Sequence, residues 1–161
     1  AIASWGPADL HYAAMETEDI MALKVPASAS AVLFLWATNP MLEHALRVVQ
    51  AWWFEYKTNA VWVKRKLKRP GSGFWLRGRH ELLLVCARPG AIAPARSGLK
   101  PIGSVIEADV REHSRKPDQV YEIIEALFPD GRYLELFARG EARERWTTWG
   151  MEATDGHDGA G

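Results

Sequence analysis

Uninterrupted apolar runs of strand length, separated by amphipathic stretches of helical spacing, organise most of this chain. The clearest run is AVLFLWAT (31–38). With no polar position to turn toward water, it predicts a strand covered on both faces, as in a parallel sheet. Asn39 and Pro40 follow as helix N-cap and first helical residue, and Leu42, Ala45, Leu46, Val49 and Trp53 recur behind them at helical spacing. EYKTNAVWVK (55–64) and HELLLVCAR (80–88) predict two further strands, joined by the basic, glycine-containing loop KRKLKRPGSG (64–73). SVIEA (104–108) adds a short strand. Pro117 then opens a helix with Val120, Ile123, Ile124 and Leu127 on one face, PDG (129–131) turns the chain, and YLELFA (133–138) is the last strand. Ahead of these elements AIASWGPADLHYAAM reads as irregular, and Thr17 caps a short helix with Glu18 and Asp19 in its first turn, ended by Pro26.

Strand, helix, strand, strand, helix, strand is the order of an α/β sheet with helices packed on its faces. At 161 residues, 48% hydrophobic and 25% charged, the chain suits one compact domain. That domain is expected over residues 1–152, with 153–161 as a flexible polar tail and no internal repeat. Twenty Lys and Arg balance twenty Asp and Glu, so any attraction for nucleic acid must be local. Cys86, the single cysteine, excludes an intrachain disulfide and points to a reducing compartment. No apolar run approaches a membrane span and the N-terminus lacks a signal-peptide pattern, so the expectation is a soluble cytoplasmic protein without membrane contact. A start at Ala1 fits either a mature end or a cut within a longer protein.

Polar groups from distant segments fall where strands end and helices begin. In open α/β sheets ligands bind beyond the carboxyl ends of the strands, and Thr38, Arg139 and the loop HSRK (113–116) occupy such places. KRKLKR (64–69) reads either as a solvated hairpin loop or as a cationic surface for a nucleic-acid backbone. Most of the eight tryptophans read as core, Trp36 and Trp62 among them, while Trp75 in GFWLRG is the candidate contact. Glu81 beside His80 reads as a solvated strand edge rather than an acid/base pair. The histidines and the cysteine show no metal-ligand spacing, so no metal site is expected. Neither a GxGxxG fingerprint nor a Walker loop is present.

HYAAM with EDIMAL, LFLWAT, AWWFEYKTNAVWVK, GFWLRGRHELLLV, VIEADVREHSRKPDQVYEIIEAL, YLELFAR and WTTWG occur in that order between Tyr12 and Gly150. This ordered set resembles the MT-A70-like adenine-N6 methyltransferases. The resemblance implies a Rossmann-like methyltransferase sheet in permuted order with helices on both faces, in which the target-binding half precedes the cofactor strand LELFAR. It implies S-adenosylmethionine as cofactor and adenine in DNA or RNA as substrate. By the same resemblance Tyr12 closes over the target base, and Thr38 and Glu81 line the substrate pocket. Lys116 meets the amino-acid end of the cofactor or the substrate itself. Ser114, Leu136, Phe137, Arg139 and Glu152 complete the cofactor side, and Lys64, Arg65, Lys66, Lys68 and Arg69 become the candidates for the nucleic-acid backbone.

Two departures stand out. The family's Asp-Pro-Pro-Trp motif, expected shortly before HY, is absent, and Met151 stands where Asn commonly follows WxxWG. The resemblance therefore implies a domain that is N-terminally incomplete, and no catalytic residue is assigned. The alternative to an active enzyme is a catalytically silent member or fragment that binds nucleic acid as a partner subunit, in a homodimer or in a heterodimer with a related chain.

Overall fold

The computed structural model describes residues 2–4, 15–67, 73–111, 115–140, 142–149 and 152–153, with the backbone alone for 2–4, 139–140 and 152–153. Its main sheet has seven strands: β1 (Ile2–Ser4), β2 (Val32–Ala37), β3 (Glu55–Arg65), β4 (His80–Ala87), β5 (Val105–Asp109), β6 (Tyr133–Leu136) and β8 (Trp146–Trp149). They lie in the order β5-β3-β4-β2-β1-β6-β8. β4 is antiparallel to both its neighbours, and every other pairing in the sheet is parallel. A separate parallel ladder joins β7 (Arg139–Gly140) to β9 (Glu152–Ala153). The late strands β6 and β8 dock beside the first strand, giving the Rossmann-like architecture with permuted order.

Alternation along β2 explains why its sequence has no polar position. Leu33, Leu35 and Ala37 pack on one face with Ile20 of α1 (Thr17–Met21) and Ala45, Val48 and Val49 of α2 (Leu42–Ala51). Phe34 and Trp36 pack on the other with Val120 and Ile124 of α3 (Gln119–Leu127). Each strand face is thus an independent apolar surface, and a polar residue at any of these positions would lose its water without gaining a partner.

Several local expectations are corrected. Thr17 is inside α1, not its cap; Glu16 holds the cap position, and Thr17 Oγ1 is hydrogen-bonded 3.1 Å from His44 Nδ1. Asn39 does not cap α2. It begins a 3-10 turn, Asn39–Met41, and its Nδ2 donates to His80 Nε2 at 3.2 Å. α2 stops at Ala51, and Trp53 leaves in the left-handed region (φ 64°) with 82% of its surface exposed. Trp52 is the buried aromatic instead, its Nε1 donating to the Ile20 carbonyl at 3.0 Å. YLELFA is neither six residues of strand nor the last one. Phe137 turns left-handed (φ 59°) after Leu136, and WTTW forms the edge strand β8, where Trp146 stacks on Tyr133. Ile2–Ser4, read as irregular, is β1 between β2 and β6.

The candidate active site at the carboxyl edge of the sheet

Because β4 runs against its neighbours, its first residues lie at the edge where β2, β3 and β5 end. Glu81 pairs in register with Trp62 of β3, two residues before Lys64. Residues two apart on a strand share a face, so Trp62, Lys64 and Glu81 meet on the side covered by α3. Trp36 joins them from β2, its ring 5.9 Å from that of Trp62 and nearly perpendicular to it. Lys116 reaches the same place from the segment before α3. That segment is held by Arg111, whose guanidinium donates to both oxygens of Asp118 (2.7 and 2.9 Å) and to the Lys116 carbonyl at 2.6 Å.

The result is a buried carboxylate between two ammonium groups. Lys64 Nζ lies 2.6 Å from Glu81 Oε1, and Lys116 Nζ donates to Oε2. Glu81 is 5% exposed, which corrects its reading as a solvated edge. Lys116 Nζ also sits 5.3 Å from the Trp36 ring and 5.9 Å from the Trp62 ring, and Lys64 Nζ is 5.2 Å from Trp62. Indole faces attract such cations without competing for their protons. Burial pushes the Glu81 carboxyl up, but the charges and hydrogen bonds of Lys116 and Lys64 outweigh it and hold it below the usual range. One residue past the Ala37–Leu82 pair that adjoins Glu81, Thr38 Oγ1 is buried with no hydrogen-bond partner, an orphan that a ligand can satisfy.

The other candidates divide. Leu136 is buried in the core cluster that contains Ala45, Val48 and Val49 of α2. Phe137 is partly buried at the end of β6, with its ring 5.7 Å from Trp149. Arg139 and Glu152, from opposite ends of the cofactor prediction, are register partners in the β7–β9 ladder. Tyr12, Ser114, Lys68 and Arg69 lie outside the described residues. In the basic loop Lys64 turns inward, whereas Lys66 and Arg65 share Asp109 at 2.6 and 3.3 Å and remain largely exposed. Trp75 is 97% exposed between Phe74 and Leu76, on a turn that requires Gly73, where a Cβ would fall 2.2 Å from the Leu76 carbonyl oxygen. The role of Trp36 and Trp62 as a floor for the ammonium groups was missed. Its signal was present in the spacing of Trp62 to Lys64 and of Trp36 to Thr38.

No cluster of metal-ligating side chains occurs among the described residues. The sequence profile of the MT-A70 family matches residues 3–152. The chain belongs to the MT-A70 family. It is 35% identical over 157 residues to an N(6)-adenosine-methyltransferase MT-A70-like protein of Drosophila melanogaster, covering 91% of this chain and 25% of that protein. It is 32% identical over 157 residues to a probable N(6)-adenosine-methyltransferase MT-A70-like protein of Oryza sativa subsp. japonica, covering 91% and 22%. It is 29% identical over 150 residues to the type II methyltransferase M.MunI of Mycoplasma sp, covering 92% and 62%. The chain thus spans about a quarter or less of the length of these two eukaryotic MT-A70 relatives.

Proposed function

We propose that this MT-A70 domain serves S-adenosylmethionine-dependent methylation of the N6 amine of adenine in DNA or RNA. The observation that carries the reading is the Lys64–Glu81–Lys116 group and the unpartnered Thr38 hydroxyl, placed where the parallel strands end. Relatives named as N(6)-adenosine-methyltransferases support the chemistry.

The donor set suits the cofactor. Lys116 offers a cation to a carboxylate, the Thr38 hydroxyl has unused hydrogen-bonding capacity, and the apolar end of β6 with Phe137 offers a surface for a nucleoside. When bound, S-adenosylmethionine supplies an electrophilic methyl group on a sulfonium. The chain's own contribution is positioning. Trp36 and Trp62 keep water from one side of the ammonium groups, and Glu81 keeps Lys116 at the edge. A base that reaches this edge must be unpaired or turned out of its helix. Exposed Lys66, Arg65 and Trp75 then suit a strand carrying that base.

The absence of Asp-Pro-Pro-Trp from this chain favours a second reading, a partner subunit that binds cofactor or nucleic acid without turning over. Pairing with a second copy or a related chain belongs to that reading. A cytoplasmic location is likewise proposed, on the buried free thiol of Cys86; no helix among the described residues is long and apolar enough to cross a membrane.

Calorimetry with S-adenosylhomocysteine tests the shared part of both readings, and tritium transfer from labelled cofactor to adenine-containing oligonucleotides separates them. No heat at millimolar ligand would remove the cofactor site from this chain.

A further inference from the structure

Lys64 lies in the run that the sequence assigned to nucleic-acid phosphates, yet its side chain is 23% exposed and its ammonium group lies on the Glu81 carboxylate, while Lys66 two residues on is 79% exposed. The two cations on Glu81 are held differently. Lys64 belongs to β3, hydrogen-bonded to β4 on one side and β5 on the other. Lys116 belongs to an irregular segment between β5 and α3. A buried carboxylate with a single cation cannot release it without being left uncompensated. A carboxylate with two can.

We propose that Lys64 is a positioning residue: it keeps Glu81 neutralised and in place from β3 while Lys116 turns its ammonium group to an anionic group of the incoming ligand. The ligand side of this inference rests on the cofactor reading above; the charge arrangement does not. Lys116 can then exchange one anion for another over the same indole faces at small cost, since Oε1 keeps its partner. Without Lys64, capture of a ligand by Lys116 would strand the carboxylate, and Glu81 would compete with the ligand for the one cation.

Among the described residues, the groups facing Glu81 are few. β3 contributes Lys64, the segment before α3 contributes Lys116, and β2 carries no titratable residue from Val32 to Ala37. His80 is bonded to Asn39, and Asp109 of β5 is engaged by Arg65 and Lys66.

Carboxyl-detected NMR titration of the full chain, with Lys116→Met standing for the disengaged state, reads this arrangement directly. Glu81 should titrate about one pH unit or more lower in Lys116→Met, where Lys64 still opposes burial, than in Lys116→Met/Lys64→Met, where burial acts unopposed. Equal midpoints in the two proteins would overturn the proposal. A second arm measures S-adenosylhomocysteine affinity. Lys64→Met should weaken it about tenfold or more, less so as pH falls and the stranded Glu81 carboxyl takes up a proton, and Lys64→Arg should restore it. A merely structural lysine would lower the melting temperature and leave affinity and its pH profile unchanged. That outcome also overturns the proposal, and it decides the matter if the double variant does not fold. If the unaltered chain binds no S-adenosylhomocysteine, the cofactor reading fails, and the carboxyl titration still decides the role of Lys64.

Discussion

Glu81 shows how one residue can look ordinary in sequence and be decisive in space. An acid next to a histidine at a strand start has no distinguishing pattern, because its partners are 17 residues before it and 35 after it. Burial and two ammonium groups act on it in opposite directions, and the cations prevail. The consequence for stability follows from linkage. Its folded carboxyl titrates below the unfolded one, so the stabilisation is present above the ordinary glutamate range and is lost as pH falls through the lower folded value. Glu81→Gln should therefore destabilise the chain by about 3 kcal/mol at neutral pH, the lower end for breaking a buried pair, since both lysines keep about a fifth of their surface in water. The loss should shrink on acidification below the ordinary glutamate range, as the parent surrenders the same interaction. Chemical denaturation of parent and variant across that range measures it; a difference independent of pH would mean that Glu81 acts through packing alone.

At the scale of elements, the end of α2 separates two adjacent tryptophans, and sequence spacing wrongly placed Trp53 on the buried stripe. Position 53 continues the apolar stripe of Leu42, Leu46 and Val49, but the helix ends at Ala51, and the left-handed backbone at Trp53 turns its ring outward while Trp52 fills the space beneath α1. Trp52→Ala should cost about 3–5 kcal/mol, and Trp53→Ala should stay within about 0.5 kcal/mol, as measured by urea unfolding. Reversed values would place the helix end one residue later. The same comparison shows what was legible. β2, β3, β4 and α3 follow from long apolar runs and periodicity, since many residues vote together. β1 and β8 were not read as strands, because three and four residues are too few to establish a period. Their place is set by the neighbours they complete. The site was legible as an edge where strands end, and Thr38, Glu81 and Lys116 were assigned to it through the family resemblance. The inward turn of Lys64 depended on β4 being antiparallel, which apolar runs do not encode.

For the whole molecule, equal numbers of acidic and basic side chains leave no long-range field to gather nucleic acid, so any such affinity must come from a few exposed cations near the edge. Arg65 and Lys66 are the described members of the basic loop that remain accessible, and each already shares Asp109. Neutralising both should flatten the log-log salt dependence of duplex DNA binding by about 1.5 to 2 units if they meet phosphates. An unchanged slope in a fluorescence titration would leave the pair a structural tie between β3 and β5.

Turnover is a property of the whole assembly of strand ends, and there the chain departs most from its family. The lone pair of the adenine N6 amine is delocalised into the ring, so the amine must be held by an acidic group to become a nucleophile. The family's acidic motif precedes the HY segment, and in this chain the strand that precedes HY is β1, which ends at Ser4 on the same edge as Thr38 and Glu81. Losing a charge-assisted hydrogen bond that forms mainly in the transition state costs about 3 to 4 kcal/mol, or two to three powers of ten in rate. The 161-residue chain should therefore bind S-adenosylhomocysteine yet transfer tritium to adenine oligonucleotides about a hundredfold to a thousandfold more slowly than a version with Asp-Pro-Pro-Trp built in between β1 and the HY segment, and an Asp→Ala change in that motif should return the rate to the lower value. Equal rates would show that the amine is held from within this chain. Glu81, the buried acid at the edge, would then be the residue to substitute first, with loss of transfer at unchanged cofactor affinity as the outcome that assigns it.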